Sequence, residues 1–343
     1  MKIITVFKLI CNAIKVSREE TYYPEFERKS LLIRVFDNIR WVFKYREYNE
    51  CYNLYGMDIK GAKTISSDYI DFRGFSMLRE RANFKDDYSQ CAILNDKLLF
   101  FRYIKDCEVS QPDVFAVIFE GKILDLNFQP IDIENFRNRK NYFIKIIDGT
   151  YGNDIMRIND FEEYDKNREK FSKGRFIIQE CITQHHEMSK LNSQCVNSLR
   201  LITTMDKNGD VQLFARALRI GTSKTGNVDN FEQGGIAVGI TNEGYLKEYG
   251  FCLPKYGTKT NMHPDSKMEF KNFKIPFYHQ AVEAALRVHK YFYGLHSVGW
   301  DIAITENGCV VIEGNGRWGI RGVQTCNGGL KKKWCDSIKE YNH

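Results

Sequence analysis

An α+β fold without a parallel doubly wound sheet is what this 343-residue chain predicts. Short apolar runs meet at Gly-containing turns, the signature of antiparallel hairpins. Helical periodicities of three and four lie between those hairpins without strict strand–helix–strand alternation. The length exceeds one simple core and suits two or three coupled subdomains.

Residues 1–48 read as helical. Leu32, Phe36, Ile39 and Phe43 recur at spacings of four and three as an amphipathic stripe. The segment holds ten Lys/Arg against six Asp/Glu. The first reading is a helix packed on the main domain with a solvated basic face. The second is contact with a membrane surface or a membrane-bound partner. In "MKIITVFKLICNAIKVSREE", Lys8 interrupts the apolar run and no small-residue cleavage site follows, so a signal peptide is not expected. No run of about 18 uninterrupted apolar residues predicts a transmembrane helix.

From about Cys91 helices and short strands mix. "DKLLFFRYIKDCEV" is expected as a helix, and "DVFAVIFEGKILDL" as a hairpin around Glu120-Gly121. "NYFIKIIDGTYGNDIMRI" gives strand, Gly-containing loop and strand, and "RFIIQECI" a buried strand. "NSLRLITTMDKNGDVQLFARALRIG" is a hairpin around Asn208-Gly209. "PFYHQAVEAALRVHKYF" is a helix, and "GLKKKWCDSIKEYNH" closes the chain as another.

Composition narrows the partners. Net charge is +6, from 50 Lys/Arg against 44 Asp/Glu. That suits anionic small molecules, and the bases are spread rather than striped, so nucleic acid is not expected. The ten cysteines contain no CxxC and read as reduced, mostly buried thiols of a cytoplasmic protein. His185 and His186 are neighbours with diverging side chains, so zinc is not expected there.

"GWDIAITENGCVVIEGN", Gly299 to Asn315, is a hairpin with acids and an amide where strands keep apolar residues. A two-residue Asn307-Gly308 turn would pair Asp301 with Gly314. A three-residue turn with Gly308 left-handed pairs Asp301 with Glu313, and period two adds Asn315 to that face. The second register is preferred. Ile302, Ile304, Val310 and Ile312 would then cover the other face, which disfavours a merely solvated polar face. Two carboxylates and an amide oxygen are hard ligands that suit Mg²⁺ bridging phosphates.

Phosphate-binding bases are then expected upstream. Lys145 ends an apolar strand before Gly149 and Gly152, which reads as a closing phosphate loop or as a plain hairpin loop. Lys97 at a helix start is a phosphate ligand or a surface lysine. Backbone groups around Glu180–Ile182, with Gln179 just before, are placed to read an adenine edge, and Glu187 to hold ribose hydroxyls.

In that order, Lys97, Lys145, the strand at Gln179–Ile182 and the triple Asp301, Glu313, Asn315 resemble the ATP-grasp superfamily. The run "QE…QH…NSLR…NF…GG…GWDIA…EGN" most resembles its sugar-transfer-associated branch, over roughly residues 90–325. More distant likenesses are to glutamate ligases of ribosomal-protein-modifying type and to D-alanine–D-alanine ligases. The resemblance implies two α+β subdomains gripping ATP behind a mostly helical region 1–90. The N-terminal part would span 91–184, with a lid at about 112–183, and the catalytic part 185–343. It also implies ATP and Mg²⁺ (or Mn²⁺) as cofactors and amide formation from a carboxylate and an amine through an acyl phosphate. The small-molecule acid would be a sugar acid or amino acid of surface-polysaccharide assembly, free or attached to a glycan, and a membrane glycan-assembly partner is compatible. Arg200, Lys145, Asn230 and Arg317 would be catalytic, with Lys97, Lys145, Gln179, Glu180, Ile182, Glu187 and Arg200 on ATP. Arg317 and Arg321 would grip an anionic substrate, with Arg219 and Asn230 framing the other side; Arg317 alternatively pairs with a neighbouring acid or ATP. A phosphotransferase and a catalytically silent nucleotide-binding regulator are the rival functions. Two departures stand out: "EGNGRWGIRG" replaces the usual Ser/Thr-Pro-Gly after the ExN, and Gly299 stands where D-alanine-type ligases carry Arg.

Overall fold

A computed structural model describes residues 3–61, 66–84, 88–132, 138–149, 155–226 and 228–342. Gly152 and the rest of the loop at 150–154 lie outside the described residues. The N-terminal helices are α1 (Ile3–Arg18), α2 (Leu31–Tyr45), α3 (Phe72–Phe84), α4 (Ser89–Asn95) and α5 (Lys97–Tyr103). A first sheet holds β1 (Val114–Phe119), β2 (Lys122–Leu124), β3 (Tyr142–Ile146), β4 (Ile155–Ile158) and β5 (Arg175–Glu180), in the order β2-β1-β5-β3-β4. After α6 (Phe161–Asn167) and α7 (His186–Leu191), a second sheet begins. It holds β6 (Leu199–Met205), β7 (Val211–Ile220), β8 (Ile236–Ile240), β9 (Leu246–Phe251), β10 (Lys259–Thr260), β11 (Ser297–Thr305) and β12 (Gly308–Asn315). Its order is β10-β9-β8-β7-β6-β11-β12. Every described pairing is antiparallel, as the Gly-turn hairpins require.

Local chemistry explains the boundaries. Glu120 and Gly121 both take positive φ, 47° and 76°, in the two-residue turn joining β1 to β2. Asp96 accepts from the Leu98 and Leu99 amides and starts α5 at Lys97. Ser30 accepts from the Ile33 amide and opens α2. The helical reading of 1–48 holds as two helices, because residues 19–30 leave the helix around Pro24. That connection is anchored where the Tyr22 hydroxyl donates to Cys252 O at 2.8 Å.

α2 packs through the face opposite to the expected one. Asn38, Trp41 and Val42 are buried, while Leu32, Phe36 and Phe43 are exposed. The inward choice is polar as well as apolar: Asn38 Nδ2 donates to Ser17 Oγ of α1 at 3.1 Å and to Arg34 O at 3.0 Å.

Each sheet has its own core. Ile118, Ile144, Ile158 and Ile178 fill the first. In the second, α8 (Tyr278–Tyr291) covers one face with Ala281, Ala285 and Val288 against Leu199, Leu201, Trp300 and Ile302. On the other face Phe75 of α3, Trp318, Val323 of α9 (Arg321–Asn327) and Trp334 of α10 (Lys331–Asn342) pack on Ile202 and Phe214. Arg200, Arg219, Asp301 and Glu313 stay open to a cavity on that face.

The hairpin has the preferred pairing by a different device. Thr305 pairs with Gly308 across a two-residue turn, and an extra residue, Ile312, bulges between the Ile302–Val311 and Asp301–Glu313 pairs. The bulge shifts the alternation by one. Val311, rather than Val310, joins Ile302 and Ile304 in the core, and Ile312 lines the cavity instead of the apolar face.

Candidate active site

Pairing aligns Glu313 of β12 with Asp301 of β11, Asp301 with Arg200 of β6, and Arg200 with Ala217 of β7. Arg219, two residues along β7, shares that face. The result is a row of alternating charge on the rigid sheet. Arg200 Nη2 donates to Asp301 Oδ2 at 3.1 Å, and Arg219 Nη2 lies 2.9 Å from the same oxygen. Arg219 also reaches Asp229 Oδ1 at 3.2 Å. Asp229 is held in turn by the Ser198 amide and hydroxyl, at 2.8 and 2.5 Å.

These residues fit a hard cation. Asp301 is 2% exposed. Arg200 Nε lies 2.8 Å from its Oδ1, but no N–H of the described residues is directed at that oxygen. A buried carboxylate oxygen without a donor is poorly satisfied by the protein alone. Glu313 lies beside it, and Asn315 donates to Glu313 Oε1 at 3.2 Å, which leaves the Asn315 carbonyl oxygen to face a ligand. Burial pushes the Asp301 carboxyl up to about 7 against the pull of Arg200 and Arg219. Burial opposes ionisation of Glu313 too, but its hydrogen bond with Asp301, then Lys97 and Arg219, holds it down at about 2. Two neighbouring carboxyls that part in this way share roughly one proton, a place a divalent cation can take.

The opposite wall comes from the first sheet and α5. Lys145 Nζ donates to Gln179 Oε1 at 2.7 Å, and Lys97 Nζ to Gly149 O at 2.7 Å. Burial lowers both lysines. Lys145 falls to about 8, helped by Lys97 and resisted by Glu313. The two walls bound a cavity of about 1290 Å³. Glu180, Cys181, Ile182 and Gln184 line it where the chain passes from one sheet to the other. Glu180 N donates to Asp113 O at 2.9 Å and steadies that passage.

The remaining expected residues divide. Asn230 lines the cavity and accepts from the Glu232 amide at 3.0 Å, capping a short turn. Gly235 then passes so close that a Cβ would stand 2.5 Å from Asp229 O. Glu187 does not line the cavity; its carboxylate accepts from Lys190 at 2.6 Å. Arg317 is at the rim, held by Glu80 at 3.0 and 3.3 Å. Arg321 lies between Glu50 and Glu232, each at 3.3 Å, over the Phe72 ring. His185, His186 and Glu306 come together, the two rings stacked 4.4 Å apart rather than diverging as expected, and His185 Nδ1 accepts from the Glu187 amide at 3.1 Å.

Sequence reasoning did not single out Ser198, Asp229, Phe72, Arg79 or Glu80. Ser198 and Asp229 stood inside quoted motifs, yet their pairing joins positions 31 apart. Phe72, Arg79 and Glu80 come from α3, where no motif points to a site.

A family model described as sugar-transfer associated ATP-grasp matches residues 79–339. The chain belongs to this family. No curated protein matches it. Among solved ATP-grasp structures, the ADP complex of purK, N5-carboxyaminoimidazole ribonucleotide synthetase, is similar at 12% identity and TM-score 0.45, over 73% of this chain and 52% of that one. PsnB, an ATP-grasp ligase complexed with a minimal precursor, is similar at 13% and 0.42, over 73% and 62%. D-alanine–D-alanine ligase from Bacillus anthracis is similar at 12% and 0.42, over 74% and 68%. The chain thus spans about half to two thirds of these proteins. The missing Arg of D-alanine-type ATP-grasp enzymes now has a cause: a Cβ on Gly299 would stand 2.6 Å from the Trp318 Cβ.

Proposed function

We propose that this ATP-grasp protein joins a carboxylate to an amine through an acyl phosphate, releasing ADP and phosphate. The observation that carries this reading is the pairing of two walls: Lys97 and Lys145 on one, the Glu313–Asp301–Arg200 row with Arg219 on the other. A carboxylate oxygen of the substrate attacks the γ-phosphorus and the bond to ADP breaks. The amine nitrogen then attacks the acyl carbon, the acyl–phosphate bond breaks, and the amine proton leaves to solvent. Lys97, Lys145 and Arg200 meet the developing phosphoryl charge, and Arg219 holds Asp301 in place; this is mostly positioning and electrostatics. Asp301, Glu313 and Asn315 would hold Mg²⁺ (or Mn²⁺), which supplies charge neutralisation at the phosphates. Among sugar acids and amino acids, the family's sugar-transfer description favours a substrate of surface-polysaccharide assembly.

Hydroxylamine tests the intermediate. With ATP, Mg²⁺ and a panel of uronic and amino acids, an ATP-dependent hydroxamate is expected for the true substrate. ADP formation with a phosphorylated product and no hydroxamate would make the protein a phosphotransferase.

Lys145 adds a pH signature. Its ammonium is present below about 8 and lost above. Capture of ATP should therefore fall by up to about tenfold per unit above that pH. Lys145→Arg stays charged and should remove the alkaline limb of kcat/KM for ATP. An unchanged limb in that variant assigns it to another group.

A further inference from the structure

We propose that α1 and α2 form a docking face for an anionic lipid surface. Both helices lie outside the stretch matched by the family model, which begins at residue 79. On α2 the residues Leu32, Phe36 and Phe43 are 83%, 65% and 59% exposed, and Ile39 lies between them on the same stripe. Phe7 of α1 is 68% exposed. The inward side of the pair is closed by Ala13, Val16, Trp41 and Val42, so turning the helices over would exchange one apolar face for another.

Charge selects the occupant. Lys8, Lys15 and Arg18 of α1, with Arg40 and Lys44 of α2, face only one acid in the two helices, Asp37, while Arg34 turns inward to Ser17 O at 2.6 Å. Asp37 is already engaged by Lys29 at 2.8 Å and by the Tyr52 hydroxyl at 2.9 Å. A second copy seated on the stripe would bring like charges together without acids to pair them. A surface of anionic headgroups over acyl chains meets both the bases and the apolar stripe. No described helix is long and apolar enough to cross a membrane, so the pair would lie in the interface plane. The same region packs on the catalytic sheet: Trp41 and Tyr55 share a cluster with Ala217, Phe231 and Cys326. Docking there would hold the cavity beside the membrane, where a substrate on a lipid carrier would be met.

The test is flotation of the full chain with vesicles of phosphatidylcholine alone, or of phosphatidylcholine with phosphatidylglycerol. Binding is expected to the anionic vesicles, weakened by salt, and weak on phosphatidylcholine. Phe36→Ser with Phe43→Ser, and separately Arg40→Glu with Lys44→Glu, should each reduce binding about tenfold or more. These side chains are exposed, so melting temperature and nucleotide binding should stay unchanged, which separates docking from misfolding and from the ligase reading. No preference for anionic vesicles would overturn the proposal. So would a concentration-dependent dimer that Phe36→Ser with Phe43→Ser abolishes while vesicle binding is absent.

Discussion

Glu313→Gln is expected to lower ATP turnover by about a thousandfold or more and to abolish the Mg²⁺-dependence of ATP binding. Gln keeps the shape but cannot supply the ionised oxygen beside the donor-free Oδ1 of Asp301. Calorimetry of ATP with and without Mg²⁺ reads the binding directly, before any acid substrate is known. Asp301→Asn should match it in activity and add a loss of stability, because Arg200 and Arg219 would both lose their shared counterion. If both variants bind ATP with wild-type Mg²⁺-dependence, the cation lies elsewhere.

Arg219→Met should destabilise the catalytic part by about 3–5 kcal/mol, the usual effect of breaking a buried ion pair from one side. The arginine is 15% exposed and bridges two carboxylates, Asp229 and Asp301. Met preserves much of the volume, so the loss is chiefly electrostatic. The sign with pH follows. Without Arg219 the Asp301 carboxyl, already raised to about 7 by burial, loses a cation that lowers it and rises further. The deficit is then full above that raised value and shrinks as pH falls towards about 7. Urea midpoints at several pH values measure it. A deficit under about 1 kcal/mol, or one indifferent to pH, would show that Arg219 is not the counterion.

Much of the site was legible because strand geometry is local. Period two and one turn placed Asp301, Glu313 and Asn315 on a face before any coordinates, and Arg200 and Lys145 stood at the ends of apolar strands. The mixture of Gly-turn hairpins and helices likewise sufficed for an antiparallel α+β fold. What local patterns could not provide was the device behind the register. A bulge at Ile312 and a longer turn yield the same Asp301–Glu313 pair, and they differ in which of Val310 and Val311 is buried and in whether Ile312 faces the core or the cavity.

The sequence alone determined the hairpins of β1–β2, β6–β7 and β11–β12 and the acids of the last one, since these rest on spacing within a few residues, and the order of its motifs determined the family resemblance. Tertiary structure decided which charges neutralise one another. Arg317 meets Glu80 across 237 positions, and Arg321 finds Glu50 and Glu232. It also decided the outward face of α2. Periodicity shows that a helix has an apolar stripe, but the lower free energy of burying Asn38, Trp41 and Val42 against α1 depends on partners that no local window contains.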